Sequence, residues 1–158
     1  MSDGEVIPQT AALCYRELDS GGTSVRGGRA AKGAGVGAGG PIEVLLITSR
    51  SGNWSIPKGL IDPGRSAREM AAIEALEEAG VIGEVGAASI GTFTYEKWGS
   101  TCRVEVYPLL VDRVLDKWLE DEFRERLWLP ADEAADTVAR DEVARIIGSF
   151  AGGKEARE

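Results

Sequence analysis

Large apolar side chains fall in short runs along this chain, and the spacing within each run separates extended from helical segments. Ala11-Ala12-Leu13-Cys14-Tyr15-Arg16 is a brief apolar run suited to a buried strand. Residues 42–48, rich in β-branched and aliphatic side chains, predict a second strand after Pro41, and 49–53 turn around Gly52. Trp54-Ser55-Ile56 alternates as a short strand into Pro57. From Ser66 to Ala79 the period becomes helical, with Ser66 as N-cap and Gly80 as the stop. Ala71, Ala72, Ala75 and Ala79 form a smooth stripe able to approach a sheet closely, and Ile73 and Leu76 extend the apolar side. Further strands are expected over 90–95, 103–111 and 127–129, with a connection near Trp98-Gly99-Ser100, and helices over 131–138 and 141–150. One central helix and one or two terminal helices among strands indicate a mixed α/β layered domain.

Two segments fall outside this pattern. Residues 20–40 are glycine-rich with almost no large apolar side chains, so nothing there offsets the cost of ordering them. The reading is a flexible insertion between two strands: a mobile connection, or a lid whose Arg26, Arg29 and Lys32 reach an anionic ligand. Its glycines match no phosphate-loop spacing. The tail, 152–158, is polar and expected to fray.

The central helix carries the most specific polar pattern. Glu74, Glu77 and Glu78 stand at i, i+3 and i+4, which places three like charges on one side of an α-helix at a cost to its stability. A divalent metal ion is the natural compensation. The glutamates border the alanine stripe, which favours a carboxylate-lined cleft at the edge of the packing surface.

Composition narrows the chemistry. The chain has 158 residues, enough for a single domain with a real core. Histidine is absent, which excludes Ser-His and Cys-His nucleophilic machinery and histidine zinc sites. Cys14 and Cys102 lie far apart in apolar surroundings and read as reduced core residues. A net charge of −8 argues against general nucleic-acid binding, while leaving room for a small phosphorylated ligand in a locally basic cleft. No apolar run is long enough to span a membrane, and the N-terminus lacks the pattern of a signal peptide, so a cytoplasmic location is the expectation.

Gly59, followed at fixed spacing by Glu74, Glu77, Glu78, Gly80 and Val81, resembles the box of the Nudix hydrolase family. The Trp-x-x-Pro-x-Gly approach (Trp54, Pro57, Gly59) and the preceding strand are similar to the family as well. The resemblance implies an α/β/α sandwich with a mixed central sheet, in one domain covering residues 1–158. Two positions depart from the pattern: Arg65 stands at the first box glutamate and Ile73 at the box arginine. These two family residues are opposite in charge, so replacing both leaves no orphaned charge. Segments 11–16, 49–50, 116–120, 124–128 and 132–135 are similar to the branch containing diphosphoinositol polyphosphate and diadenosine polyphosphate hydrolases. Members acting on inositol polyphosphates carry basic residues before the first strand, where this chain reads Pro8-Gln9-Thr10.

The resemblance further implies Mg²⁺, or Mn²⁺, held by Glu74, Glu78 and the carbonyl of Gly59, with Glu77 as a further ligand or as the base. The choice of base between Glu77 and Glu74 stays open. Such an ion neutralises phosphate charge and acidifies water. Arg50, Lys58, Arg124 and Arg126 are candidate phosphate ligands, because guanidinium and ammonium groups pair with phosphate; an ordinary surface charge is the competing reading for each. Lys97 and Arg103 carry the same two readings, and Trp54 and Trp128 read as core before base-stacking residues. The implied activity is metal-dependent hydrolysis of a phosphoanhydride in a small polyphosphorylated metabolite. A nucleoside diphosphate derivative is the next substrate class, and a non-catalytic binding module is the rival motivated by Arg65 and Ile73. The sequence leaves the oligomeric state open.

Overall fold

A computed structural model describes residues 5–18 and 41–152. The 20–40 insertion with Arg26, Arg29 and Lys32, and residues 153–158 of the tail, lie outside the described residues.

Eight strands and three helices follow one another as β1 (Val6–Glu17), β2 (Ile42–Thr48), β3 (Trp54–Ser55), β4 (Lys58–Leu60), α1 (Ala67–Glu74), a π-helical turn (Ala75–Ala79), β5 (Val81–Val85), β6 (Gly91–Lys97), β7 (Ser100–Val114), β8 (Arg126–Pro130), α2 (Ala131–Thr137) and α3 (Asp141–Gly152). All strands belong to one mixed sheet, in which β1 and β7 run parallel through the centre and the other pairings are antiparallel. The α/β expectation therefore holds.

The apolar run in β1 is nearly continuous because both faces of the central sheet are covered. Ala11, Leu13 and Tyr15 join a core with Val44, Leu46, Val106 and the α3 residues Val143, Ile147 and Phe150. Ala12 and Cys14, on the opposite face, pack with Leu45, Ile47 and the helical Ala71, Ala75 and Ala79. All three alanines are fully buried, so the expected smooth stripe is the contact through which α1 and its last turn lie on the sheet. Leu76 instead faces outward, at 39 % exposure, whereas Met70 near the helix start is buried. Both cysteines are buried and unbridged; burial and the nearby Glu78 charge push the Cys14 thiol up to about 12.

Local chemistry fixes the helix start. Ser66 Oγ accepts from the Glu69 N–H at 3.0 Å, and the Ser66 N–H donates to Glu69 Oε1 at 2.9 Å, a reciprocal capping box. Two short strands escaped the pattern reading. β4 consists of Lys58, Gly59 and Leu60, and β5 is interrupted by Gly83 and Glu84, so neither shows an apolar period. The strand expected at 103–111 extends to Ser100–Val114, because its ends pair with β6 and β5. Among the described residues, no helix is long and apolar enough to cross a membrane.

Candidate active site

β4 lies antiparallel to β1, with Gly59 opposite Thr10. Thr10 is fully buried, and its hydroxyl donates to the Ala67 carbonyl at 2.7 Å, which ties the first turn of α1 to the same strand. Strand and helix thus converge at Gly59. A methyl group built on Gly59 would lie 2.4 Å from the Glu74 carboxyl carbon, so the absence of a side chain lets that carboxyl rest against the strand.

Glu78 completes the pair. Its Oε1 accepts from the Lys58 backbone N–H at 3.1 Å, and its Oε2 lies 3.5 Å from Arg124 Nη2. The Glu74 and Glu78 carboxyls are near enough to interact through a shared hydrogen bond. Burial, that bond, and the charges of Glu78 and Glu77 push Glu74 up to about 8. Glu78 is raised by burial, against the downward pull of Arg124. Without a cation the two carboxyls share a proton because they are too close to ionise together.

Glu77 does not make this pair a group of three: among the described residues, no three acidic or sulfur side chains converge closely enough to hold one ion. The turn that carries Glu77 and Glu78, Ala75–Ala79, is π-helical. An α-helix advances about 100° per residue, which puts i and i+3 roughly 60° apart. A wider turn, with i→i+5 bonds, advances only about 80° per residue and so widens the angle between i and i+3, while the Glu77 charge still acts on Glu74.

The end of this turn is held on every carbonyl. The Gly80 N–H, in the left-handed region at φ 68°, bonds to Ala75 and Leu76. The Glu120 N–H donates to the Glu77 carbonyl at 3.1 Å. Trp118 Nε1 donates to the Glu78 carbonyl at 3.0 Å, and Arg126 Nη1 to that of Ala79 at 3.0 Å. Helix ends otherwise leave such acceptors unsatisfied. Arg126 also lies 3.8 Å from the centre of the Trp118 ring. Its guanidinium bonds the helix terminus, and Arg126 is not among the residues that line the adjacent cleft.

Glu78 opens into a cleft of about 450 Å³, lined by Arg50, Lys58, Gly59, Lys97 and Arg124 among others. Arg50 is exposed there, 5.8 Å from the Phe123 ring. Lys58 Nζ donates to the Tyr95 hydroxyl at 3.2 Å, which donates to Gln9 Oε1 at 2.8 Å. Arg124 is nearly buried and fully engaged: its Nε donates to Glu120 Oε1 at 2.8 Å and its Nη1 to the Thr48 carbonyl at 2.7 Å. Its geometry orients Glu78 rather than offering a free fork to phosphate. Arg103 is exposed on β7 away from the cleft. Trp54 packs against one core and Trp128 against the other, as expected of core residues.

Sequence reasoning gave no site role to Gln9, Tyr95, Glu120 or Trp118, since each reaches the site through tertiary contacts with no local signature. Arg65 lies exposed in the turn before α1 and Ile73 is half-buried, so the absent box pair leaves no buried charge behind.

The donor set suits a hard divalent ion. Glu74 and Glu78 offer carboxylate oxygens, Gly59 a nearby backbone carbonyl, and no sulfur or imidazole intrudes; Mg²⁺ takes few protein ligands and keeps several waters.

Residues 36–148 match the NUDIX domain family model. Among relatives, Nudix hydrolase 18, mitochondrial, of Arabidopsis thaliana is 37 % identical over 97 residues, covering 60 % of this chain and 54 % of its own length. Diphosphoinositol polyphosphate phosphohydrolase 2 of Rattus norvegicus is 36 % identical over 97 residues, covering 58 % of this chain and 52 % of its own. The chain thus spans about half the length of these relatives. The solved structure of a C. elegans Ap4A hydrolase binary complex superposes with a TM-score of 0.60 at 19 % identity, covering 91 % of this chain and 94 % of that one. That likeness concerns the fold. With the family model spanning most of the chain and the Gly59–Glu74–Glu78 geometry at its centre, the chain belongs to the Nudix family.

Proposed function

We propose that the chain is a divalent-metal-dependent hydrolase that cleaves a phosphoanhydride bond of a small polyphosphorylated metabolite with water. The observation that carries this reading is the Glu74–Glu78 pair, held against Gly59 beside a cleft whose walls carry Arg50 and Lys58. Diadenosine polyphosphates and diphosphoinositol polyphosphates are the substrate classes suggested by the names of the C. elegans and rat proteins, with nucleoside diphosphate derivatives next.

Mg²⁺ or Mn²⁺ held by Glu74, Glu78 and the Gly59 carbonyl would supply charge neutralisation of the phosphate oxygens and a more acidic water. The protein's own groups do the remainder. Lys58 and Arg50 bind phosphate oxygens at the mouth of the cleft. Arg124, clamped by Glu120 and the Thr48 carbonyl, fixes the Glu78 carboxylate and limits its rotation. Glu77 or Glu74 takes the proton of the attacking water.

The test is a panel of polyphosphates incubated with Mg²⁺ or Mn²⁺, products read by phosphorus NMR in isotopically labelled water so that the attacked phosphorus is identified. Glu78→Gln is expected to lower metal-dependent turnover by at least ~100-fold with an unchanged melting curve. Near wild-type rates in that variant, or binding without turnover by the wild type at every metal concentration, would sink the hydrolase reading.

A further inference from the structure

The β6–β7 hairpin closes through Trp98-Gly99, between the paired residues Lys97 and Ser100. Both central residues have positive φ, 53° for Trp98 and 77° for Gly99, which is the geometry of a type I′ turn. Asn-Gly is the favoured sequence there, and a bulky side chain at the first position is strained. Trp98 is the only non-glycine residue with positive φ among the described residues. It is also 81 % exposed, so neither turn chemistry nor core packing accounts for an indole at this place.

Its surroundings supply an account. Trp98 lines the same cleft as Glu78, Lys58 and Arg50. Leu60, on β4, lines it too and is 55 % exposed. Lys97 Nζ stands 4.3 Å from the centre of the indole ring. An open aromatic face and an exposed aliphatic side chain therefore border a cleft that also carries Arg50, Lys58, Lys97, Arg124 and Glu78. Inositol polyphosphates are polar on every side and offer such a wall nothing to cover. A nucleobase offers a flat π-face joined to a chain of phosphates, the combination that matches an apolar lip on a charged cleft.

We propose that Trp98 is a stacking platform for a nucleobase, so that the cleft takes nucleoside polyphosphates in preference to inositol polyphosphates. This rests on the polyphosphate reading above and narrows it. The base lies on the exposed indole at the hairpin tip with Leu60 at its border, and the phosphates run inward past Lys58 towards the glutamate pair.

Calorimetric titration of the full chain with the Mg²⁺ complexes of ATP and of inorganic tripolyphosphate isolates the base, since the two ligands carry the same number of phosphates. Wild type is expected to prefer ATP. Trp98→Asn removes the ring and installs the residue the turn favours, so its melting temperature should be equal or higher. Its ATP-to-tripolyphosphate affinity ratio should fall by about 10–100-fold, the range set by one base–aromatic stack. Trp98→Phe, which restores a π-face, should recover most of the ratio. Equal loss for both ligands in Trp98→Asn, a ratio unchanged from wild type, or a wild type that prefers a diphosphoinositol polyphosphate over ATP each overturns the proposal. The two readings fail separately: base-dependent binding without turnover sinks only the hydrolase, and turnover without base preference sinks only the platform.

Discussion

Replacing Gly59 by Ala separates the function of this position from its contribution to stability. The added methyl would fall 2.4 Å from both Cδ and Oε2 of Glu74, whereas ordinary contact begins near 3.4 Å. The carboxyl must therefore withdraw by about 1 Å, a distance at which its steric repulsion and its contacts both change sharply. Gly59 is outside the left-handed region, so alanine adopts its backbone without strain, and the atoms that must yield are the free end of a flexible side chain. The net stability change should stay within about 1 kcal/mol, since stiffening the unfolded chain offsets part of the clash. Function should respond far more, because a displacement of about 1 Å in a catalytic geometry costs on the order of 100-fold. Metal titration by calorimetry, initial rates on the best substrate and a urea melt together decide the matter. Gly59→Ala with wild-type metal affinity and rate would refute the reasoning, and so would a loss of several kcal/mol in the melt. Gly83→Ala is the contrast: its methyl would meet the Leu110 backbone oxygen at 2.1 Å, which cannot move aside. There the same substitution should cost about 2–3 kcal/mol in the melt.

Other consequences are open to measurement. In metal-free protein Glu74 is raised from 4.5 to about 8, so between those values the folded chain binds more protons than the unfolded one. Stability should then fall as pH rises through that window, by about 1–2 kcal/mol once solvent screening of a half-open carboxyl is allowed for, and saturating Mg²⁺ should flatten the slope; a flat metal-free profile in urea melts counts against the shared proton. Arg124→Met leaves the carboxylates of Glu78 and Glu120 without their cation and should destabilise the metal-free fold by about 2–4 kcal/mol, with a melt within 1 kcal/mol of wild type arguing that the guanidinium is dispensable. Arg126→Ala should weaken the helix terminus without changing phosphate affinity by more than a few-fold, and a large affinity loss in a titration would return Arg126 to the cleft.

The parts of the fold legible in the sequence are those that carry a period. The alanine stripe predicted the buried face of α1, the β-branched run at 42–48 gave β2, and Ser66 and Gly80 marked the helix ends. β4 was hidden because three residues joined by a glycine show neither helical nor strand spacing; its register comes from pairing with β1. The site divides along a similar line. Gly59, Glu74 and Glu78 sit within one continuous stretch whose spacing is informative, and the structure brings them together. Arg124 and Arg126 could be found as cations, but their bonds to the Thr48 and Ala79 carbonyls could not, because those acceptors lie more than 40 residues away in sequence. The π turn was invisible for another reason. It follows from how Gly80 and the capping groups share the last carbonyls, and side-chain spacing does not record that.

Trp118 and Trp98 also give the protein an optical asymmetry. The Trp118 indole is bonded to the Glu78 backbone at 3.0 Å and stacked by a guanidinium at 3.8 Å, so its excited state senses the charge at the helix end. The Trp98 indole is open to solvent at the cleft, so its emission starts red-shifted and responds to whatever covers it. The helix terminus and the cleft thus each carry an intrinsic chromophore. Single-tryptophan variants would allow cation and base to be followed as separate colours and separate rates in one mixing experiment, without a label.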